Sequence, residues 1–110
     1  MCEKEIVVQW FSDPAHGWLK VHRSFLHKLD IADKISQYSY SDGEHGHFVY
    51  LEEDCDAPIL ITEAEKQGWS LTYQPEHVTN HSSAIRNKGP YVFDVACQLA
   101  FNRSRSATTA

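Results

Sequence analysis

Ile6-Val7-Val8-Gln9-Trp10-Phe11, then Ser12-Asp13-Pro14-Ala15-His16-Gly17, then Trp18-Leu19-Lys20-Val21-His22 is the stretch that decides the fold. The first run is β-branched and aromatic, which suits a pleated, half-buried strand. The second is a cluster of turn formers that stops it. The third alternates, with Trp18, Lys20 and His22 on one side and Leu19 and Val21 on the other, the period-2 pattern of a strand with one face in a core. The spacing predicts an antiparallel hairpin.

Working outward, Ser24 is a good N-cap and Phe25, Leu26 and Leu29 recur at helical spacing, which predicts a short helix from about Ser24 to Asp30. Gln37-Tyr38-Ser39-Tyr40 and Phe48-Val49-Tyr50-Leu51-Glu52 read as two strands around a loop from Ser41 to His47. Asp56-Ala57-Pro58 opens a second helix, since Pro is tolerated where its missing N–H has no partner anyway, and Gly68 supplies its stop. Trp69-Ser70-Leu71-Thr72-Tyr73 alternates as a further strand, and residues 74–87 read as irregular. Val92, Val95, Ala96 and Leu99 give the last segment a helical apolar face. The prediction is an α+β domain: a mainly antiparallel sheet of about five strands, with two or three short helices packed on one face. Residues 1–102 form the single domain, and the polar residues 103–110 form a frayed tail.

With 42% hydrophobic and 23% charged residues, the 110-residue chain has the composition of a globular domain. No run approaches a bilayer-crossing span, and Met1-Cys2-Glu3-Lys4-Glu5 is not a secretory signal, so a cytoplasmic protein with no membrane contact is expected. Cys2, Cys55 and Cys97 form neither a disulfide framework nor a cysteine zinc motif.

The net charge of −5 is unevenly spread. Residues 1–34 carry five acids and five bases, residues 35–65 carry eight acids and no Lys or Arg, and residues 66–110 carry two acids and five bases. Such a middle block repels nucleic-acid backbones and favours basic partners if its carboxylates share a face; the plainer account is solvated surface charge.

The strings His16-Gly17-Trp18-Leu19-Lys20-Val21, Gln37-Tyr38-Ser39-Tyr40 and Val49-Tyr50-Leu51-Glu52-Glu53-Asp54-Cys55-Asp56-Ala57 resemble a family of small uncharacterised proteins found on bacteriophages, plasmids and in proteobacterial genomes. The resemblance implies a mobile-element origin, with a host cytoplasm as its setting, and brings no activity with it. The strand–helix start from Leu19 to Ile31 is also similar to that of swapped-hairpin transcription factors. His22 stands where their Pro belongs, however, and the chain is acidic where DNA binders are basic.

Candidate sites follow from residue type. Tyr38 and Tyr40 share a strand face and, with Asp42, Glu44, Glu52, Glu53 and Asp54, make a candidate acidic and aromatic binding surface. Asp56 is expected to accept helix N–H groups, and Glu52 and Glu53 to diverge if both lie in the strand. His45 and His47 are candidate metal ligands, with His16, His77 and His81 as possible completions. Cys55 precedes a helix N-terminus, but its acidic neighbours oppose a thiolate. No phosphate loop, dinucleotide fingerprint or serine elbow occurs, and no cofactor is expected. These features point to a non-enzymatic binding protein whose partner is a host protein with a basic surface, with no direct nucleic-acid binding. The concrete version is an inhibitor of a nucleic-acid-handling or defence complex. The rivals are a metal-binding protein or small metal-dependent enzyme built on the loop histidines, and a self-assembling protein that dimerises through its C-terminal helix.

Overall fold

The computed structural model describes residues 4–42, 47–81, 83–93 and 95–108, without the side chains of residues 97 and 104–108. Its elements are β1 (Glu5–Ser12), β2 (Gly17–His22), α1 (Arg23–Lys28), β3 (Tyr40–Ser41), β4 (Phe48–Glu52), α2 (Ala57–Lys66), β5 (Ser70–Val78), β6 (Gly89–Pro90) and α3 (Val95–Thr108), with 3-10 turns at Ala32–Lys34 and Ala84–Asn87. The fold is α+β, with six strands in the order β5-β1-β2-β4-β3-β6. All neighbours are antiparallel except β1 and β5, which run parallel.

The hairpin is as read: Gln9 pairs with Lys20 and Ser12 with Gly17. Its inward residues Ile6, Val8, Leu19 and Val21 meet Val49 and Leu51 of β4, and Leu26 of α1, Leu29 just past its end, and Leu60 and Ala64 of α2 close this layer. Each of these side chains is at most 1% exposed, so each contributes on the order of 1.5–3 kcal/mol of apolar burial, less for the smaller Ala64. The opposite face carries a second, smaller cluster of Trp18, Tyr50 and Ile85, flanked by Phe11, Tyr40 and Phe48, with the 84–87 turn laid over it.

Several local readings are corrected. α1 is capped by the His22 ring, whose Nδ1 accepts from the Ser24 N–H at 3.2 Å, and not by Ser24 itself. It stops at Asp30, which takes the left-handed conformation (φ 63°), while the N–H of Ile31 reaches back to Leu26 O at 2.9 Å in a Schellman ending. β5 continues past Tyr73 to Val78, because a register shift between Gln9 and Phe11 accommodates Pro75. The last segment is helical from Val95, as α3, and Val92 before it and Val95 and Leu99 on it are more than half exposed. Among the described residues, no helix is long and apolar enough to cross a membrane.

Candidate functional site

Register on the face away from α1 and α2 builds a cleft. β2 and β4 set Trp18 directly opposite Glu52, and β3 sets Tyr40 opposite Tyr50, so these four side chains project to one side. The Trp18 and Tyr40 rings meet edge to face, 6.2 Å apart. Trp18, Tyr40 and Glu52, together with Tyr38, Asp54, His16 and Arg86, line a cleft of about 310 Å³.

Its walls are held by two carboxylates that serve the backbone. Asp13, in the β1–β2 turn, has a side chain only 1% exposed. It accepts from the N–H groups of Ala15 (3.0 Å), His16 (2.9 Å) and Ser83 (2.9 Å), and from Nε (2.7 Å) and Nη2 (3.1 Å) of Arg86. The Arg86 guanidinium, then the Ser83 N–H, hold the Asp13 carboxyl far below the usual carboxylate range. Thus anchored, Arg86 lies with its guanidinium carbon 5.4 Å from the Trp18 ring centre, a cation–π contact.

Asp56 is 1% exposed and does not cap α2; its side chain makes no cap bond. It accepts instead from the Ser36 N–H (3.1 Å), the Ser36 hydroxyl (2.6 Å) and the Ser39 hydroxyl (2.5 Å). The Ser39 oxygen in turn accepts from the Glu52 N–H at 3.0 Å, so this buried carboxylate fixes both the Tyr38–Tyr40 segment and the end of β4.

Glu52 spends Oε1 on the N–H groups of Asp54 (2.7 Å) and Cys55 (3.0 Å). Its Oε2 is left facing His16, whose Nδ1 is 4.0 Å away. Glu53 does not diverge from Glu52, because β4 ends at Glu52 and the chain turns. Glu53 N donates to Gly17 O at 3.0 Å, and Gly17 N donates to Glu53 Oε1 at 3.1 Å. A Cβ on Gly17 would stand 2.9 Å from Glu53 Oε2, so a larger residue there would push the end of the Glu53 side chain aside. Ligand atoms of His16, Glu52 and Glu53 consequently lie within 4.8 Å of one another.

The structure therefore brings Tyr38, Tyr40, Glu52 and Asp54 into one cleft, with Glu53 at its rim. Asp42 lies apart, bonded to Lys88 Nζ at 2.6 Å beside Tyr50. That carboxylate raises the Lys88 pKa, and burial, then Asp42, raises that of the Tyr50 hydroxyl. Glu44 and His45 lie outside the described residues. His47 adjoins the start of β4, its ring 5.8 Å from that of His22, while His16 meets Glu52 at the strand's far end. Five residues of strand, roughly 13 Å from first to last, separate the two histidines. His77 is on β5, against Phe11.

Asp13, His16, Trp18 and Arg86 were not singled out as a group by the sequence, because their meeting depends on cross-strand register and on a loop some 70 residues away. The one local signal was the His16-Gly17-Trp18 string itself. Chemically, the cleft offers aromatic faces, the Glu52 carboxylate and the exposed carboxylate of Asp54, a set suited to an organic cation. Cys55 is no ready nucleophile there: burial, then Glu52, Asp56 and Asp54, push its thiol pKa up. No family model, no curated protein and no solved structure matches this chain.

Proposed function

We propose that the protein is a non-enzymatic binding protein that takes a basic side chain of a partner protein into the cleft between Trp18, Tyr38, Tyr40, Glu52 and Asp54. The observation that carries this reading is the placement of aromatic faces and of the Glu52 and Asp54 carboxylates in one cleft, while the Arg86 cation is already spent on Asp13. Among the described residues, no Lys or Arg forms an ion pair with Glu52, Glu53 or Asp54. In its concrete form the partner is a host nucleic-acid-handling or defence complex, and the protein, carried by a mobile element, sets its carboxylates in a groove that otherwise holds phosphate.

Titration of an arginine-rich peptide, followed by tryptophan fluorescence, tests the reading. Saturable binding that weakens with salt is expected, with a loss of about tenfold in Glu52→Gln/Asp54→Asn, the order of one charge-assisted hydrogen bond. Equal affinity of the variant and the natural protein ends the idea. The rival is a divalent-metal site, for which His16, Glu52 and Glu53 give one specific juxtaposition. Calorimetric titration with Zn²⁺ or Mn²⁺ separates the two, since a metal site binds the ion and loses it in His16→Ala, while peptide binding alone leaves that titration flat.

A further inference from the structure

The two edges of the sheet are guarded differently. One ends in the two residues of β6 and the other in the nine of β5. An open edge offers a row of backbone donors and acceptors to any strand of matching register, and Pro, charge or a bulge is the usual guard. β5 has all three in its second half: Pro75, Glu76 and the register shift opposite Trp10. Ser70-Leu71-Thr72-Tyr73-Gln74 has none of them.

The direction of the free groups follows from the ladder. Ser70 N donates to Lys4 O at 2.8 Å, so Ser70, Thr72 and Gln74 turn their backbone groups toward β1 while Leu71 and Tyr73 turn theirs outward. We propose that this edge pairs with the same edge of a second copy, antiparallel about a two-fold axis through Thr72. Leu71 of each copy then exchanges both backbone hydrogen bonds with Tyr73 of the other, and every outward donor of the segment is satisfied.

Three observations select this register. Its next position on either side sets Trp69 against Pro75; Trp69 already spends its N–H on Ala64 O at 2.8 Å and Pro75 has none, so the ladder ends without stranding a donor. No charged side chain lies within the paired segment, and Glu76 and His77 fall beyond it. The apolar rows also continue across the axis. On the helix side Tyr73, 49% exposed beside Val8, meets Leu71 of the second copy; on the other side Val7, 44% exposed, lies beside Thr72. So short a ladder belongs to the weak, concentration-dependent class of interface.

Light scattering on the full chain between about 5 and about 500 µM tests the pairing, a range that brackets weak association. The mass of the natural protein is expected to double across it. Thr72→Lys places two ammonium groups at the axis and is expected to remain monomeric, with the monomer intact because Thr72 is exposed and its hydroxyl bonds only the surface carboxylate of Glu5 at 2.6 Å. Thr72→Cys is expected to oxidise to a 72–72 disulfide, identified by peptide mass, since facing residues of a non-hydrogen-bonded pair have Cα atoms about 4.5 Å apart, within the span of roughly 4.4–6.8 Å that a disulfide bridges. A natural protein that stays monomeric throughout overturns the proposal. A dimer that survives Thr72→Lys, such as one built on Val92, Val95 and Leu99, overturns it equally, as does failure of the 72–72 link to form.

Discussion

Asp56→Ala is expected to be among the most damaging polar substitutions in the chain, although Asp56 lies outside the cleft. The carboxylate is 1% exposed and accepts three hydrogen bonds, at 2.5, 2.6 and 3.1 Å. Hydrogen bonds to a charged acceptor contribute about 1.5–3 kcal/mol each, but removing the carboxylate also removes its own burial cost, so the three do not add. The net loss is put at about 2–4 kcal/mol, which comes from the Ser36 N–H and the two hydroxyls left facing a void. With a urea slope of roughly 1.5 kcal/mol/M, typical of small domains, the midpoint falls by about 1.3–2.7 M. Asp56→Asn keeps the shape and one acceptor and loses about half as much. Equilibrium urea unfolding, followed by tryptophan fluorescence and far-UV circular dichroism, reads both. Pairing Asp56→Ala with Ser39→Ala in a double-mutant cycle is expected to give a coupling of about 1 kcal/mol or more. A midpoint shift below about 0.3 M for Asp56→Ala, or no coupling to Ser39, refutes the assignment of this carboxylate as the tie between the two segments.

Three further outcomes are expected. Burial, then His47 and Lys28, lowers the pKa of His22, so its proton is disfavoured in the folded state. Stability is then full above the unfolded value of 6.5 and falls as pH drops through the lower folded value; thermal melts across this range check the sign, and His22→Gln is expected to flatten the profile. For Asp13 the folded carboxyl titrates below its ordinary 3.8, so its contribution is present above that value and is lost as pH falls further. Asp13→Asn is expected to be less stable at neutral pH and to show a shallower acid limb. Asp30→Gly is expected to raise stability by about 0.5–1 kcal/mol, because glycine meets no Cβ penalty in the left-handed conformation; an unchanged or lower melting temperature contradicts this.

What the sequence revealed was what is local. The alternation of Leu19 and Val21 against Trp18 and Lys20 located the hairpin, and Pro58 and Gly68 bracketed α2, because each signal lies within a few residues of what it controls. Pro75 concealed the rest of β5, since a proline inside a strand is tolerated only at an edge or a bulge and neither can be read before the sheet is known. The acidic middle block illustrates the same limit at the site. Composition reports eight carboxylates but not their fates: among the described ones, Asp42 meets Lys88, Asp56 is buried on two serines, Glu63 binds Gln67, and Glu52 and Asp54 line the cleft with Glu53 beside Glu52. Asp13 was hidden for a related reason. An aspartate in a turn looks like a turn former, and nothing nearby announces the Arg86 that reaches it from the far end of the chain.

The parallel union of β1 and β5 has a kinetic consequence. The β1–β2 hairpin and its β4 neighbour close over short spans, whereas the first strand receives its second partner only after some sixty intervening residues have been made and arranged. Loop closure over that distance is an entropic cost met before any of its contacts form, so docking of β5 is the natural slow step of folding. Until it occurs, a newly synthesised chain shows its ribosome and its neighbours the bare flank of β1.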